Sequence, residues 1–445
     1  MNIDNIRLYV DDRPSEGVFR VHSAAFSDPE IFELEMKYIF ERTWNFVTLE
    51  SEIARPHDYI TTHIGRTPIV LARDAKGGIG AFINACRHKG ATVARMSAGN
   101  AKYHVCPYHG WAYDSAGKNV DIKDRKSGCY APAFDADNHD LIPVAKLGSY
   151  RGMIFASLSA DVPPLEEWLG EMRKVIDLSM EHGANGMEFV PGRVRYTYGA
   201  NWKLQFDNGL DSYHLTSTHT SFMDIQARRR RGEGHQQARQ YDWATRAAVP
   251  HGMFDFDYGH TFTWTEQPEV HKRQLWPVIE EVKARVGEVK AQWMLKMRQT
   301  SIFPNMQIND GSAMILRVIR PLAVDLTEMT GYVLAPIGER ADLRAWRLRQ
   351  FEDFFNPAGF ATPDDTVTYE DAQRGFAGTL GRAQGEWVDG YARGITQIHP
   401  GGNDHSNALG FTPKTNLVAP LELFNEVGLH APYREWRRLM SRAAA

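Results

Sequence analysis

Cysteine is scarce in this chain. Its 445 residues contain three, Cys86, Cys106 and Cys129, too few for a disulfide framework or for a cluster held by four thiolates. No apolar run approaches the roughly 18 residues that a membrane-spanning helix requires. Neither sign of charge dominates: Lys+Arg 51 against Asp+Glu 55 leaves a net charge of -4, so no nucleic-acid or anionic-membrane partner is expected. No Gly-x-Gly-x-x-Gly follows a strand pattern, so the chain has no recognisable nicotinamide or flavin domain of its own. Met1-Asn2-Ile3-Asp4 opens without a basic region leading into an apolar stretch, which argues against a signal peptide and for the cytoplasm. Histidine, by contrast, is plentiful at 17, and metal chemistry follows as the first thing to look for.

The chain is long enough for two or three domains, and 43% hydrophobic residues with 24% charged is an ordinary globular balance. Asp28-Pro29-Glu30 places a cap residue before Pro at a first helical position, and Ile31, Phe32, Leu34, Met36, Ile39 and Phe40 follow with helical recurrence. From about Asp58 to Leu158 the texture is that of short strands: Tyr59–Ile64, Pro68–Leu71, Ile79–Ile83, Tyr103–Val105, Trp111–Tyr113 and Gly152–Leu158, with turns at Gly65-Arg66, Lys76-Gly77-Gly78 and Asp114–Gly117. After Pro163-Pro164 the pattern is mixed. Leu165–Met180, Asn201–His219 and Val278–Lys296 read as helices, and Phe189–Tyr198, Ile302–Ile308, Ala313–Ile319 and Met329–Leu334 as strands. Such irregular alternation predicts an α+β domain built on an antiparallel sheet.

The β unit holds Cys86-Arg87-His88 and, with 17 residues between His88 and Cys106, Cys106-Pro107-Tyr108-His109. Each pair offers one thiolate and one imidazole, and each follows a strand signal, so two loop tips facing one another could hold a cluster. Two cysteines and two histidines suit a [2Fe–2S] centre with both thiolates on one iron and both imidazoles on the other. A structural zinc site also accepts two of each, but usually groups like with like, whereas here the types interleave. Cys129 has no partner in sequence and reads as a buried inert thiol. Cys-x-His followed by Cys-Pro-Tyr-His-Gly-Trp, with Lys89-Gly90 after the first His, resembles the Rieske cluster motif.

A second constellation lies in Asn201–His219. On a helix, Asn208, Asp211 and His214 would align along one face at three-residue spacing. His219 lies five residues beyond His214, about 140° round an ideal helix, so both can face one metal only if the helix ends or bulges between them. Two imidazoles and one carboxylate form the facial triad of non-heme Fe(II), which leaves positions open for O₂ and substrate. The carboxylate is expected in Ala361-Thr362-Pro363-Asp364-Asp365, where spacing does not choose between Asp364 and Asp365. An Asp one turn before a ligand His, as Asp211 is, can orient that imidazole.

Together these segments resemble the large (alpha) subunit of Rieske non-heme iron aromatic ring-hydroxylating dioxygenases, in the benzoate, toluate, anthranilate and salicylate group. Asp207-Asn208-Gly209-Leu210-Asp211-Ser212-Tyr213-His214 carries the likeness, with Asp207 where the family often has Glu. The resemblance implies residues 1–45 as an N-terminal helical segment packing on the catalytic domain. It implies 46–160 as an all-β Rieske domain, and 161–445 as a catalytic domain whose antiparallel sheet is covered by helices in a helix-grip arrangement. Matched on Glu370 and Gln373, it points to Asp365 as the third iron ligand beside His214 and His219. Asn208 and Asp211 become catalytic candidates, with Asp211 bridging to the residue matching His109 on a neighbouring subunit, so that electrons cross between subunits.

The implied activity is cis-dihydroxylation of a small aromatic substrate, benzoate- or aniline-like, with O₂ and NADH-derived electrons. These would arrive through a separate reductase, with or without a ferredoxin, and a small beta subunit would complete an α₃β₃ assembly. Two alternatives keep some of these parts: a monooxygenase or demethylase with the same metals, and an electron carrier without the mononuclear iron. Arg228–Arg231 reads as a solvated loop or subunit contact. Phe303-Pro304-Asn305-Met306 and Ile319-Arg320-Pro321-Leu322 read as pocket lining or core.

Overall fold

The computed structural model describes residues 8–233, 249–378, 387–388, 390–420 and 425–443; Met1–Asp4 and Gly234 lie outside them. The chain divides into two compact units, one made of Phe40–Leu165 and the other of Met1–Ile39 with Glu166–Ala445.

The smaller unit is built from three antiparallel sheets. Asp58–Ile64 pairs with Thr67–Arg73, which pairs with Ile79–Ile83, and Ala98–Asn100 closes the other edge. Tyr103–Val105, Ala112–Asp114 and Asn119–Asp121 form the second sheet, and Asn45–Leu49, Met153–Ser157 and Lys146–Tyr150 the third. The turn chemistry is local: Asp74 Oδ1 accepts from the N–H groups of Lys76 and Gly78, and Asp114 Oδ1 from those of Ala116 and Lys118. The unit is not wholly β, since Pro132–Ala136 forms one short helix.

The larger unit centres on an antiparallel sheet. Six strands, Pro250–Asp255, Thr261–Thr265, Met297–Ile302, Met306–Asp310, Met314–Ala323 and Leu326–Pro336, lie side by side in chain order. Met187–Phe189 and Val194–Tyr198 both pair with the last, and Thr415–Pro420 extends the other edge. Against one face pack Phe222, Phe351, Phe354 and Phe355, over Ile315 and Val333. They come from the helices Thr220–Arg230 and Ala341–Phe354 and the residue that follows.

Several expected elements are interrupted where the residues demand it. Leu165–Met180 splits at Gly170, Val278–Lys296 at Gly287, and Phe189–Tyr198 at Pro191-Gly192. The N-terminal segment is not purely helical: Val10–Arg13 and Val18–His22 form a hairpin ahead of the helix Pro29–Glu35, which Asp28 caps through the N–H groups of Glu30 and Ile31. Arg228–Arg231 ends a helix, and Arg229 is buried in a two-bond pair with Asp353, 2.7 Å each, rather than solvated. Cys129 is exposed, because it sits in an irregular turn before Pro132 and not in a strand.

Glu35 ties the N-terminal segment to the site-bearing helix Trp202–Asn208. Its fully buried carboxylate accepts from Trp202 Nε1 at 2.9 Å and Trp436 Nε1 at 2.6 Å and pairs with the Lys203 ammonium. Burial pulls Lys203 below its usual pKa, against the attraction of Glu35. Glu35→Gln leaves that ammonium uncompensated and is expected to lower unfolding free energy by about 3–5 kcal/mol. Adding Lys203→Met should recover part of the loss, and denaturant midpoints of the three proteins check both statements.

Candidate functional site

In the smaller unit the two Cys–His loops are closed in the same way. Cys86 N–H donates to the Ala91 carbonyl and Gly90 N–H to the Cys86 carbonyl, each at 2.8 Å. Cys106 N–H donates to the Trp111 carbonyl at 2.8 Å and Gly110 N–H to the Cys106 carbonyl at 3.0 Å. Gly90 and Gly110 have φ of 73° and 75°, a left-handed turn that a side chain would strain, which is why Gly follows each His-bearing tip. Both thiols are buried and unbridged, and the His88 and His109 rings lie 4.4 Å apart. Trp111 stacks on His88 and Tyr108 on His109.

The donor set fits a [2Fe–2S] group. The Nδ1 atoms of His88 and His109 are shielded from water yet have no hydrogen-bond partner, which suits atoms that would ligate a metal. Burial pushes the Cys106 thiol up, and the neighbouring Cys86 thiol adds to this; such a pair gains from a cation that takes the place of the thiol protons. Tyr113 Oη lies 3.3 Å from Cys86 Sγ and accepts from Arg87 N–H, so the sulfur has a polar neighbour held in place.

In the larger unit, the helix Trp202–Asn208 is capped by the Asn201 side chain and stops at Gly209. Asn208, Asp211 and His214 therefore do not share a helical face; they come together through the non-helical turn that follows. Gly209 stands where a Cβ would fall 2.2 Å from Gln307 Nε2, so the turn lies directly against the sheet strand Met306–Asp310. His214 begins the short helix Leu215–Thr218, and His219, at φ -104° and ψ 33°, separates it from Thr220–Arg230. That kink turns the His219 ring to within 5.3 Å of the His214 ring. Asp365 enters from the first turn of the helix Thr362–Phe376.

One ligand atom from each of His214, His219 and Asp365 lies within 4.8 Å of the others, a group able to hold a metal ion. Asp365 Oδ1 is 3.2 Å from His219 Nε2 and 3.6 Å from His214 Nε2. The outer ring nitrogens are held by separate carboxylates: His214 Nδ1 meets Asp211 Oδ2 at 3.2 Å, and His219 Nδ1 meets Asp364 Oδ2 at 3.4 Å. The two acidic neighbours that spacing left undivided thus occupy different positions, Asp365 inside the cluster and Asp364 behind His219. Asn208 Nδ2 is 3.2 Å from both His214 Nε2 and Asp365 Oδ1.

Burial alone would raise Asp365, but the His219 hydrogen bond and the charges of His214, His219 and Arg317 hold it below the usual carboxylate range. Burial would likewise lower His214, and Asp211 with Asp365 raises it instead. Behind the turn, Asp207 accepts from the hydroxyls of Tyr391 and Tyr433 at 2.9 Å each, yet burial pushes it up to about 7.

The cluster opens on a cavity of about 760 Å³, counting its mouth. Leu215, Met297, Phe354 and Phe355 supply apolar walls, and Thr263, Gln299, Asn309 and Arg317 border it from the sheet. Neither Phe303–Met306 nor Ile319–Leu322 lines it; both belong to the turn and strand beyond. Arg317 and the Phe354-Phe355 pair have no spacing signature that would have marked them, because their role depends on which strand face and helix end they occupy.

Residues 168–442 match the family described as ring hydroxylating alpha subunit (catalytic domain), and residues 43–140 match the Rieske [2Fe-2S] domain. The chain is 39% identical over 408 residues to the toluate 1,2-dioxygenase subunit alpha of Pseudomonas putida, covering 90% of each. It is 35% identical over 442 residues to the anthranilate 1,2-dioxygenase large subunit of Acinetobacter baylyi, covering 97% of this chain and 91% of that one. Naphthalene 1,2-dioxygenase from Rhodococcus sp. shares its fold, with a TM-score of 0.79 at 24% identity over 95% of this chain and 94% of that one.

Fold and paired metal-ligand sets together define an iron–sulfur oxygenase with a second, mononuclear iron. Within that class the chain belongs to the ring-hydroxylating alpha subunits, as the terminal oxygenase large subunit of a Rieske aromatic ring-hydroxylating dioxygenase. Its cofactors are a Rieske [2Fe–2S] cluster and a mononuclear iron, and in this family NADH supplies electrons by way of a reductase. Family members work with reductase and ferredoxin partners and often with a beta subunit. No helix among the described residues is long and apolar enough to cross a membrane.

Proposed function

We propose that this chain cis-dihydroxylates a benzoate- or aniline-like ring, with the cluster on Cys86, His88, Cys106 and His109 and the mononuclear iron on His214, His219 and Asp365. The observation that carries the reading is the convergence of two imidazoles and one carboxylate on one wall of a cavity whose facing walls are apolar. Toluate and anthranilate, named by the relatives, are both small aromatic acids. We further assign to this chain a separate NADH-dependent reductase, a beta subunit in an α₃β₃ assembly, and a place in the cytoplasm.

When bound, the two groups supply one-electron relay and oxygen activation. Everything else falls to side chains. Asp211 and Asp364 each accept a hydrogen bond from the Nδ1–H of one histidine, which orients the ring and turns both Nε2 atoms toward the point where, with Asp365 Oδ1, they would hold the iron. All three donors come from one side, so the opposite side stays open to the cavity. Asn208 presents its amide N–H to the Asp365 oxygen and restrains that carboxylate. Leu215, Phe354 and Phe355 exclude water and offer flat or apolar surfaces to a ring.

Asp211 has a second task in this reading. It is partly exposed at 17% while holding His214 Nδ1, so one carboxylate can serve the site and also accept from His109 of a neighbouring copy. Asp211→Ala is expected to keep the iron and sulfide content of the parent protein and to lose turnover by about 10- to 100-fold or more. Normal turnover in that variant removes Asp211 from the electron path. The activity itself is tested with ¹⁸O₂, a reductase and a panel of benzoates and anilines. Two labelled atoms in a ring-reduced diol are expected; one labelled atom would establish monooxygenation instead, and no labelled product would overturn the reading.

A further inference from the structure

Two buried arginines border the cavity, and the alternation of the sheet separates them. Arg298 pairs across the ladder with Asp310, and its guanidinium binds Asp310 and the Leu178 carbonyl on the face away from the cavity. Asp310 is also gripped by Arg273, so the Arg298 guanidinium is held by a counter-ion on that face. The opposite face carries Thr263, Gln299 and Asn309, which lie across from one another on adjacent strands, and Asn309 lies across from Ile315. Arg317 stands two residues beyond Ile315, and residues two apart on a strand share a face. Its side chain therefore emerges on the cavity side.

Arg317 is 6% exposed. Among the described residues its guanidinium makes no hydrogen bond and no ion pair, and its Cζ lies over the Phe355 ring, 5.0 Å from the centroid. The anion nearest in charge terms, Asp365, is committed to His214, His219 and Asn208. Directly across from Arg317 on the strand Leu326–Pro336 is Gly331, which offers no side chain to occupy the fork. A guanidinium stays charged at any working pH and presents five N–H donors in a planar fork that matches a carboxylate. Left buried without a counter-ion it is costly, so the cavity is built for an anion that arrives with the ligand.

We infer that Arg317 is the specificity residue of this cavity: it binds the ring carboxylate of an aromatic acid through a two-bond pair and fixes one end of the ring. The inference rests on the reading of the cavity as the arene site, and sharpens it from benzoate- or aniline-like to the acid. An amine offers no acceptor for the fork once protonated, and a neutral arene leaves it unpaired. Phe355, against the guanidinium, would restrain the fork where the carboxylate enters.

The test compares benzoate, benzamide and aniline, which share a ring and differ in the group offered to Arg317. Binding is measured by calorimetry on the full-length protein with its metals, and turnover with the reductase. The wild-type protein is expected to bind benzoate about 10- to 100-fold tighter than benzamide. Arg317→Gln should erase that preference and Arg317→Lys should fall between, with the iron and sulfide content of each variant showing that the protein is intact. Equal benzoate affinity in wild type and Arg317→Gln, or no preference for benzoate over benzamide in the wild type, overturns the inference even if anilines or neutral arenes are hydroxylated. The second comparison needs no variant, so a variant that fails to fold does not remove the test. A wild-type protein that oxidises no arene at all overturns the proposed function, and this inference with it.

Discussion

Asp365 Oδ1 lies within 3.6 Å of the Nε2 atoms of both His214 and His219, and much of the larger unit is arranged around keeping those three atoms together. Two imidazoles and a carboxylate do not converge spontaneously. Each histidine is pinned from behind, by Asp211 and by Asp364, and these two contacts convert rotatable rings into fixed ones. The helix break after Asn208, the kink at His219 and the Asp365-bearing helix each bring one donor to the same point from a different direction.

The support reaches well beyond the cluster. Gly209 lies against Gln307, which in turn donates to the Phe206 carbonyl and Ser301 Oγ, so the turn that follows Asn208 is held to the sheet by polar contacts. The helix before that turn is tied through Trp202 and Lys203 to Glu35, and through Glu35 to Trp436 near the C-terminus. A buried ion pair of this kind is weak evidence for stability but strong for register, because only one packing satisfies every donor. Gln373 reinforces the same assembly, accepting from Asn201 N–H and donating to the Phe26 carbonyl. The segments carrying Phe26, Glu35 and Trp436 thus support the site-bearing helix, while the sheet and the Phe354-Phe355 pair border the cavity.

What could be read from the residues alone divides along a physical line. Short-range patterns were legible: the two Cys–His loops with their following glycines, the strands Ile79–Ile83 and Tyr103–Val105, and the Asp28 cap. Spacing also flagged the problem between His214 and His219, since five residues cannot share a helix face, although not that the kink would fall at His219 itself. Interruptions of helices at Gly170 and Gly287 were missed because flanking residues keep helical periodicity across them. Long-range partners were the least legible. Arg229 looked solvated in a run of four arginines until the helix Ala341–Phe354 brought Asp353 to it. Arg317 carries no local signature at all, and nothing local marks Asp364, named only as the alternative to Asp365, as the partner of His219. Their positions follow from strand alternation and helix entry, which exist only once the sheet is formed.

The central claim, that one chain holds a cluster on two Cys–His loops and a separate iron on His214, His219 and Asp365, is tested most directly by metal analysis. Iron, zinc and acid-labile sulfide would be counted in the purified protein and in His219→Ala, with low-temperature EPR after dithionite reduction. The account predicts about three irons and two sulfides per chain with a Rieske-type signal, falling to about two irons with the same signal in the variant. Zinc without sulfide, or an iron count that His219→Ala leaves unchanged, would contradict it.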